Sequence, residues 1–436
     1  MSQPSSTVAP GTAASADSSP LVVRTVRIQD PGPLLALLPD SPDAAAWVRR
    51  GDGLVGWGVA ALRRTTGASR FADAKRWWSE HVRTAVVRDE VDRPGSGVVC
   101  FGSFGFADVP GDSVVVVPEV VVGRRGGITW LTTIGAGSIP SSPAVTPARA
   151  AAAPRGVAFA DGALSGAEWV SVVAEAVRRI NEGGLEKVVL ARDLLATADD
   201  DIDLRWPLQR LAESYPMCWT FHVDGLFGAT PEMLVRRERG LVTSRVLAGT
   251  IRRTGNDARD LTQAATLARS SKDLEEHEYA VRSVADALAP HCSSMNVPES
   301  PFVLHLPNVM HLATDVAGVV HDSTDPAGTS LDLAAALHPS AAVGGTPTDV
   351  ATALISEIEG MDRGRYAGPV GWMDAAGDGE WGLALRSAEI EGPRVRLFAG
   401  CGVVADSDPE SELAEAQAKF VPVRDALSGR PEGVTD

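Results

Sequence analysis

Short runs in which hydrophobic and polar residues alternate cover much of the chain, and this period of two is typical of β-strands. In the second half, such runs are separated by short turns at Asp224-Gly225, Arg239-Gly240 and Gly377-Asp378-Gly379. Turns of this kind join neighbouring strands as hairpins, which are antiparallel. The pattern predicts a large α+β fold of mostly antiparallel β-sheets and argues against a doubly wound parallel sheet.

Helical periodicity interrupts the strand patterns at several places, so helices should surround the sheets. One helix is predicted in the first half, over FADAKRWWSEHVRTAV. A second, SGAEWVSVVAEAVRRINEGG, should end at Gly183 and Gly184. Longer helices are predicted at about 257–290, 347–360 and 409–426.

Changes in composition divide the chain into regions. Residues 1–20 are rich in Ser, Pro and Ala and are predicted to form a disordered tail. Residues 21–140 should form an N-terminal α+β half of the fold, and residues 157–428 a larger second region. The Pro- and Ala-rich segment at 138–156 is typical of a surface connection between the two halves.

Charge and cysteine content narrow the choice of partner and compartment. The formal net charge is -16, without a block of consecutive Lys or Arg, which argues against a nucleic-acid or membrane partner. The chain starts without the basic and apolar parts of a signal peptide, and no apolar run is long enough to span a bilayer. Four scattered cysteines without a CxxC pair are typical of buried thiols in a reducing compartment. We therefore expect a cytoplasmic protein, in which an anionic substrate would need local cations.

Signatures of several common enzyme classes are absent. The sequence contains no GxxxxGK[ST] phosphate loop, no GxSxG and no HExxH. These absences disfavour P-loop nucleotide chemistry, the usual serine hydrolases and zinc proteases.

The stretch EKVVLAR, residues 186–192, places Lys187 at the start of a predicted strand. Lys187, Val189 and Ala191 would share one face of that strand. Taken alone, Lys187 is compatible with a strand-start lysine whose ammonium lies in water. A lysine held in an enclosed site is the alternative.

Carboxylates gather at two predicted helix starts. In SDPESELAEAQAKF, with Ser407 or Asp408 as N-cap, the side chains of Glu412, Glu415 and Lys419 fall within an arc of ~60°. SSKDLEEHEYAV crowds four acids, among them Asp273 and Glu276, into two turns. A solvated face and a favourable helix dipole would explain both clusters. Hard oxygen ligands on two helices would equally suit Mg²⁺.

Nine motifs along residues 150 to 425 resemble the chorismate-utilising enzymes, and among them most closely the isochorismate synthases. In chain order they are KVVLAR, FGATPEMLVRR, VLAGTIRR, SKDLEEHEYAV, LPNVMHLAT, LHPSAAVGGTP, DRGRYAGPVGW, GLALRSAEI and AGCGVVADSDPESELAEAQAKF. The resemblance implies a single large α+β catalytic unit in which residues 157–428 bind chorismate. It implies an isomerase that adds water at C2 of chorismate with loss of the C4 hydroxyl.

The resemblance also implies roles for individual residues. Lys187 matches the general base that activates water, which requires it to lose its proton near neutral pH, and Glu232 matches the general acid. Glu276 and Glu415 match Mg²⁺ ligands, and Glu412 and Asp273 match their acidic neighbours. The residues that match the substrate pocket are Gly249, Thr250, His311, Tyr366, Arg386, Gly400, Gly402 and Lys419.

One departure concerns the metal site. The family often carries a basic pair where this chain has Leu274 and Glu275, directly before Glu276. Metal affinity could therefore differ from that of relatives, while the identity of the ligands would not.

Other activities stay open. Anthranilate synthases generally lack the lysine, and aminodeoxychorismate synthases carry it in a different motif. Salicylate synthases share Lys187 and Glu232 and also eliminate pyruvate, although GGTP at 344–347 favours stopping at isochorismate. A non-catalytic chorismate-binding protein is disfavoured by the intact Lys187 and Glu232. The resemblance suggests a monomer without a glutaminase subunit and leaves open whether the product serves menaquinone or siderophore synthesis.

Overall fold

The computed structural model describes residues 19–139, 141, 143–305, 309–321 and 328–428. The side chains of Thr250, Lys272 and Glu276 also lie outside the described part. The tail predicted for residues 1–20 falls almost entirely outside these residues. Within the described helices, none is long and apolar enough to cross a membrane.

The described residues form eight α-helices and twenty-three strands. The helices are α1 Arg70–Thr84, α2 Gly166–Glu182, α3 Arg205–Ser214, α4 Asp257–Leu267, α5 Ser271–Leu288, α6 Ser330–Leu337, α7 Thr348–Ile358 and α8 Pro409–Ser428. The first twelve strands are β1 Leu21–Ile28, β2 Ala45–Arg49, β3 Asp52–Trp57, β4 Ala61–Thr65, β5 Val86–Asp89, β6 Val99–Ser103, β7 Ser113–Val117, β8 Val120–Arg125, β9 Ile128–Ala136, β10 Ala158–Asp161, β11 Lys187–Thr197 and β12 Trp219–Val223. The others are β13 Leu226–Thr230, β14 Met233–Glu238, β15 Leu241–Arg252, β16 Cys292–Asn296, β17 Phe302–His305, β18 Val309–Val320, β19 Gly345–Thr346, β20 Pro369–Asp374, β21 Gly379–Leu383, β22 Ser387–Glu391 and β23 Arg394–Val404.

Two large sheets contain strands from both halves of the chain. The first sheet has thirteen strands in the order β10-β11-β23-β22-β13-β12-β2-β3-β8-β9-β1-β5, with β19 also paired to β11. The second has ten, in the order β16-β18-β15-β14-β21-β20-β6-β7-β4, with β17 also paired to β18. Among the described strands, β1 and β5 pair in parallel and every other recorded pairing is antiparallel. The predicted α+β fold of antiparallel sheets is confirmed.

The faces of the two sheets pack on each other through large aromatic side chains. Trp47 and Phe221 of the first sheet share one buried cluster with Phe101 and Trp372 of the second. Full burial of one such side chain contributes about 1.5–3 kcal/mol. The core therefore joins both halves of the chain into one unit.

The predicted hairpin turns are also confirmed, because their residues adopt the conformation that tight turns require. Asp224 and Gly225 have φ of 50° and 82°, and Arg239 and Gly240 have φ of 50° and 82°. Positive φ at both central positions matches the right-handed twist of the flanking strands.

The prediction of a single helix at 257–290 is wrong, because the segment forms two helices, α4 and α5, with a break at residues 268–270. Ser270 causes the break: its hydroxyl accepts a hydrogen bond from the Asp273 backbone N–H, at 3.3 Å, and starts a new helix. Helices α3 and α6 were not predicted. Helix α6 is apolar on most sides and buried, so it lacks the amphipathic period that marks a surface helix.

Candidate active site

One partly open cavity of about 550 Å³ collects most of the side chains that the sequence analysis singled out. Twelve of the fourteen predicted site residues line it: Lys187, Glu232, Gly249, Asp273, His311, Tyr366, Arg386, Gly400, Gly402, Glu412, Glu415 and Lys419. Thr250 belongs to β15 and Glu276 to α5, but their side chains lie outside the described part of the structure. The predicted residues come from distant parts of the chain, so this convergence depends on the fold.

Lys187 is half-buried at the first position of β11. This strand pairs antiparallel with β23 along its whole length, and Gly402 lies opposite Val189. A Cβ atom at Gly402 would lie only 2.8 Å from Cε of Lys187. The missing side chain of Gly402 therefore provides the space through which the lysine side chain enters the cavity.

Glu232 follows Pro231 in the short connection between β13 and β14, and it is only 9% exposed. Proline has no N–H to donate and its φ is restricted. The backbone before β14 is therefore rigid, and the direction of the Glu232 side chain is fixed with it. Burial raises the pKa of the Glu232 carboxyl to about 7, against an opposing effect of the positive charges of Lys187, Arg386 and Lys419. A substantial fraction of this carboxyl is protonated at neutral pH, so it can act as an acid.

Glu412 and Glu415 lie one turn apart near the start of α8. The helix is capped by Asp408, whose carboxylate accepts from the Ser411 N–H at 2.9 Å. Burial raises the pKa of Glu412, and the neighbouring charge of Glu415 acts in the same direction. Burial alone would also raise the pKa of Glu415, but its ion pair with Lys419, at 2.7 Å, and other cations lower it overall.

Asp273 brings a further carboxylate to the cavity from the first turn of α5. Three of the four predicted metal-site residues, Asp273, Glu412 and Glu415, therefore line the cavity from two helices. Among the described side chains, no three acids, histidines or cysteines are already grouped tightly enough to hold a metal ion. The chemistry of the donors nonetheless fits Mg²⁺, which prefers one or two protein carboxylates together with waters and an anionic group of the substrate.

Cationic and hydrogen-bonding groups line the same cavity. Arg386 adopts φ of 49°, a left-handed conformation that is strained for a residue other than glycine. Burial lowers the pKa of Arg386. Lys419 donates a hydrogen bond to the carbonyl oxygen of Gly400 at 2.8 Å. Tyr366 is stacked on Phe398 with ring centroids 5.1 Å apart, and burial raises its pKa to about 12, so its hydroxyl remains a donor.

A bulge in β15 brings Gly249 to the cavity wall. The register between β15 and β18 shifts between Ala248 and Thr250, and Gly249 has φ of 76°. Opposite this bulge, burial and the charges of Arg386 and Lys419 lower the pKa of His311 to about 3. His311 is therefore neutral at physiological pH.

Sequence reasoning missed two residues beside this site, Glu359 and Arg363. They form a buried ion pair at 2.6 Å, and Arg363 lines the cavity. Arg363 belongs to the quoted motif DRGRYAGPVGW, but the motif does not reveal what its guanidinium contacts. The fold alone shows that contact.

The antiparallel two-sheet fold, with a cavity that acidic and cationic side chains line together, defines the class as an α+β enzyme scaffold with room for a small polar molecule. The same fold is found in a known protein of solved structure. DhbC from Bacillus anthracis, provisionally described as a 2,3-dihydroxybenzoate-specific isochorismate synthase, has a similar crystal structure with a TM-score of 0.74. The two are 30% identical, and the match covers 91% of this chain and 99% of that one.

Residues 143–428 match the family described as chorismate binding enzymes, and the chain belongs to that family. Isochorismate synthase MenF of Bacillus subtilis is 35% identical over 266 residues, which are 60% of this chain and 56% of the relative. Isochorismate synthase DhbC of the same organism is 43% identical over 264 residues, 58% of this chain and 66% of the relative. The chain thus spans less than two thirds of the length of these two relatives.

Proposed function

We propose that the protein is an isochorismate synthase, an isomerase that converts chorismate to isochorismate. Family membership and the similarity to isochorismate synthases support the substrate. One observation supports the chemistry above all others: Glu232, a buried carboxyl with its pKa raised to about 7, shares a cavity with Lys187. General acid–base catalysis at neutral pH needs such a pair, one group to accept a proton and one to donate it.

In the proposed reaction, Lys187 removes a proton from a water molecule that attacks C2 of the ring. Both double bonds of the ring shift, and Glu232 donates its proton to the C4 hydroxyl, which leaves as water. One water molecule enters and one leaves, so substrate and product are isomers. Because water is the nucleophile, the reaction requires no ammonia, and we propose that the protein acts without a glutaminase subunit.

The charges of the cavity suit a substrate with two carboxylates. Arg386 and Lys419 provide positive charge on one part of the wall, and Tyr366 provides a hydroxyl donor. The predicted ligands Glu276 and Glu415 would hold Mg²⁺, with Glu412 and Asp273 as acidic neighbours. When bound, this ion would supply positive charge for the ring carboxylate of chorismate. Local cations of this kind are needed because the whole protein carries a net charge of -16.

The test is to incubate the purified protein with chorismate and Mg²⁺ and to identify the products by liquid chromatography and mass spectrometry. We expect isochorismate, and we expect none from the Lys187→Ala variant under the same conditions. Formation of salicylate with pyruvate, of an amino-substituted product when ammonium is added, or of no product would contradict the proposal. Each outcome identifies a different one of the alternatives.

A further inference from the structure

Strand β11, which carries Lys187, has one edge that other strands cover only in part. On this edge, β19 pairs with residues 187–188 and β10 pairs with residues 194–197. Between these pairings, no described strand covers residues 189–193. Residues 190–193 are buried, and an unsatisfied buried backbone group costs about 1–3 kcal/mol.

Groups outside any strand provide hydrogen-bond partners for the backbone of residues 189–193. The Val189 N–H donates to the Gly344 carbonyl at 2.8 Å, and the Trp169 indole donates to the Ala191 carbonyl at 3.0 Å. The Asp193 carbonyl accepts from the Gly162 N–H at 3.3 Å, so at Val189 and Ala191 two groups remain, the Val189 carbonyl and the Ala191 N–H. They lie two and four residues beyond Lys187.

Glu359 and Arg363 bind these two remaining groups. Arg363 donates to the Val189 carbonyl at 2.7 Å, and a Glu359 oxygen accepts from the Ala191 N–H at 2.8 Å. The two side chains bind each other through two hydrogen bonds of 2.7 and 2.6 Å. The Arg363 side chain is 3% exposed and the Glu359 side chain 1%, so water does not compete for these bonds. Glu359 and Arg363 therefore replace a missing stretch of β-strand.

Arg363 also binds two segments that lie next to this edge of the strand. Its guanidinium donates to the Val343 carbonyl at 2.9 Å and lies over the Phe106 ring at 4.2 Å. A planar group with five donors can make these contacts together, and a lysine ammonium in the same place cannot reproduce their geometry. The guanidinium is therefore fixed from several sides, and the Val189 carbonyl is fixed with it.

We propose that Glu359 and Arg363 are positioning residues for Lys187. Lys187 and Val189 lie on the same face of β11, so the contact that fixes the Val189 backbone also fixes the starting point of the lysine side chain. The pair carries no net charge, so it holds the strand without adding uncompensated charge next to Lys187 and Glu232. This inference rests on the proposed role of Lys187 as a base, because it assigns Glu359 and Arg363 an effect on turnover and none on binding.

The test compares Arg363→Lys with a matched control, Arg205→Lys. Arg205 is also buried, pairs with Asp203 at 2.6 Å and donates to the Arg149 carbonyl at 2.8 Å, but it lies outside the cavity lining. We expect Arg363→Lys to lower kcat at least tenfold with KM for chorismate changed less than about threefold, because small misplacements of a catalytic group cost rate more than binding. Arg205→Lys should keep kcat within about twofold.

Thermal unfolding checks that both variants are folded. If Arg363→Lys does not fold, the variant Glu359→Gln/Arg363→Met removes both charges and leaves no unpaired ion, and the same comparison of kcat and KM applies. A kcat within twofold of the wild type, a loss that falls on KM alone, or an equal loss in Arg205→Lys would overturn the proposal.

Failure of the proposed function itself has a different signature, because the wild type would then form no isochorismate in the same assay. In that case hydrogen exchange of the backbone amides tests whether Glu359 and Arg363 hold β11, since this measurement needs no turnover. We expect exchange at residues 189–191 to accelerate at least tenfold in Arg363→Lys and to stay unchanged in Arg205→Lys. Unchanged exchange in Arg363→Lys would overturn the positioning role whatever the reaction is.

Discussion

Replacing Glu232 by Gln should impair catalysis and at the same time stabilise the protein. Glutamine keeps the size and polarity of the side chain but cannot donate the proton that the C4 hydroxyl needs to leave. The pKa of Glu232 is about 7, so about half of the wild-type carboxyl is protonated at pH 7. General acid catalysis typically contributes ~100- to 10,000-fold, and we expect turnover to fall by ~100-fold or more while chorismate still binds.

The effect on stability follows from the same pKa. Glu232 binds its proton more tightly in the folded protein, with a pKa of about 7, than at its ordinary value of 4.5. Its contribution to stability is therefore fully present below pH 4.5 and is lost as the pH rises through 7. The difference corresponds to a roughly 300-fold change in the protonation equilibrium, or about 3 kcal/mol. Glutamine does not titrate, so the variant should gain stability relative to the wild type over this window.

Two measurements on the same samples check this reasoning. Product formation against chorismate concentration gives kcat and KM, and denaturant unfolding at pH 5.5 and 8.5 gives the free energy of unfolding. Glu175→Gln is a control without a pH-dependent effect in this window, since hydrogen bonds from Arg178 and Arg179 lower the pKa of Glu175 to about 2 and the carboxyl stays ionised at both pH values. That variant should keep wild-type turnover and gain no stability at high pH.

Two results would refute the assignment of Glu232. Near wild-type turnover in Glu232→Gln would show that another group supplies the proton. A loss of chorismate binding without a loss of kcat would show that Glu232 holds the substrate. A stability difference that does not grow between pH 5.5 and 8.5 would instead show that the carboxyl is not buried as the structure has it.

Further changes around the cavity have distinct expected outcomes. Lys187→Ala should abolish water addition and leave the thermal unfolding midpoint nearly unchanged, because the half-buried side chain contributes a base and little core volume; isochorismate formation at the wild-type rate would contradict this. EDTA should abolish turnover and added Mg²⁺ should restore it, since the carboxylates of the proposed metal site would repel a dianionic substrate without the ion; full turnover in metal-free buffer would rule out the metal site. Gly402→Ala should lower kcat about tenfold or more, because its Cβ would lie 2.8 Å from Lys187 Cε, whereas in Gly166→Ala the nearest atom is 3.4 Å away and activity should persist.

The parts of the fold that could be predicted from the sequence depend on local rules. Alternation of side chains and residues that tolerate positive φ, such as Asp224 and Gly225, are sufficient to predict an antiparallel hairpin. Helix ends inside a long polar segment depend on competing caps, and the hydroxyl of Ser270 ended the predicted helix at a place that periodicity does not reveal. The buried helix α6 lacks the polar face on which the helix prediction relied.

The candidate site divides in the same way. Twelve predicted residues meet at one cavity, because motif resemblance carries information on which side chains face a common ligand. Resemblance carries no information on which backbone groups lack a partner. The need for Glu359 and Arg363 arises only after β11 has been paired with β23 on one edge and left open at residues 189–193 on the other. That gap is a property of the assembled sheet, so a glutamate and an arginine four residues apart look like an ordinary helical ion pair until the sheet is built. A buried pair that satisfies backbone groups costs more to break than an exposed one. Because the backbone groups that this pair binds lie two and four residues beyond Lys187 on the same strand, the effect of breaking it should appear at Lys187.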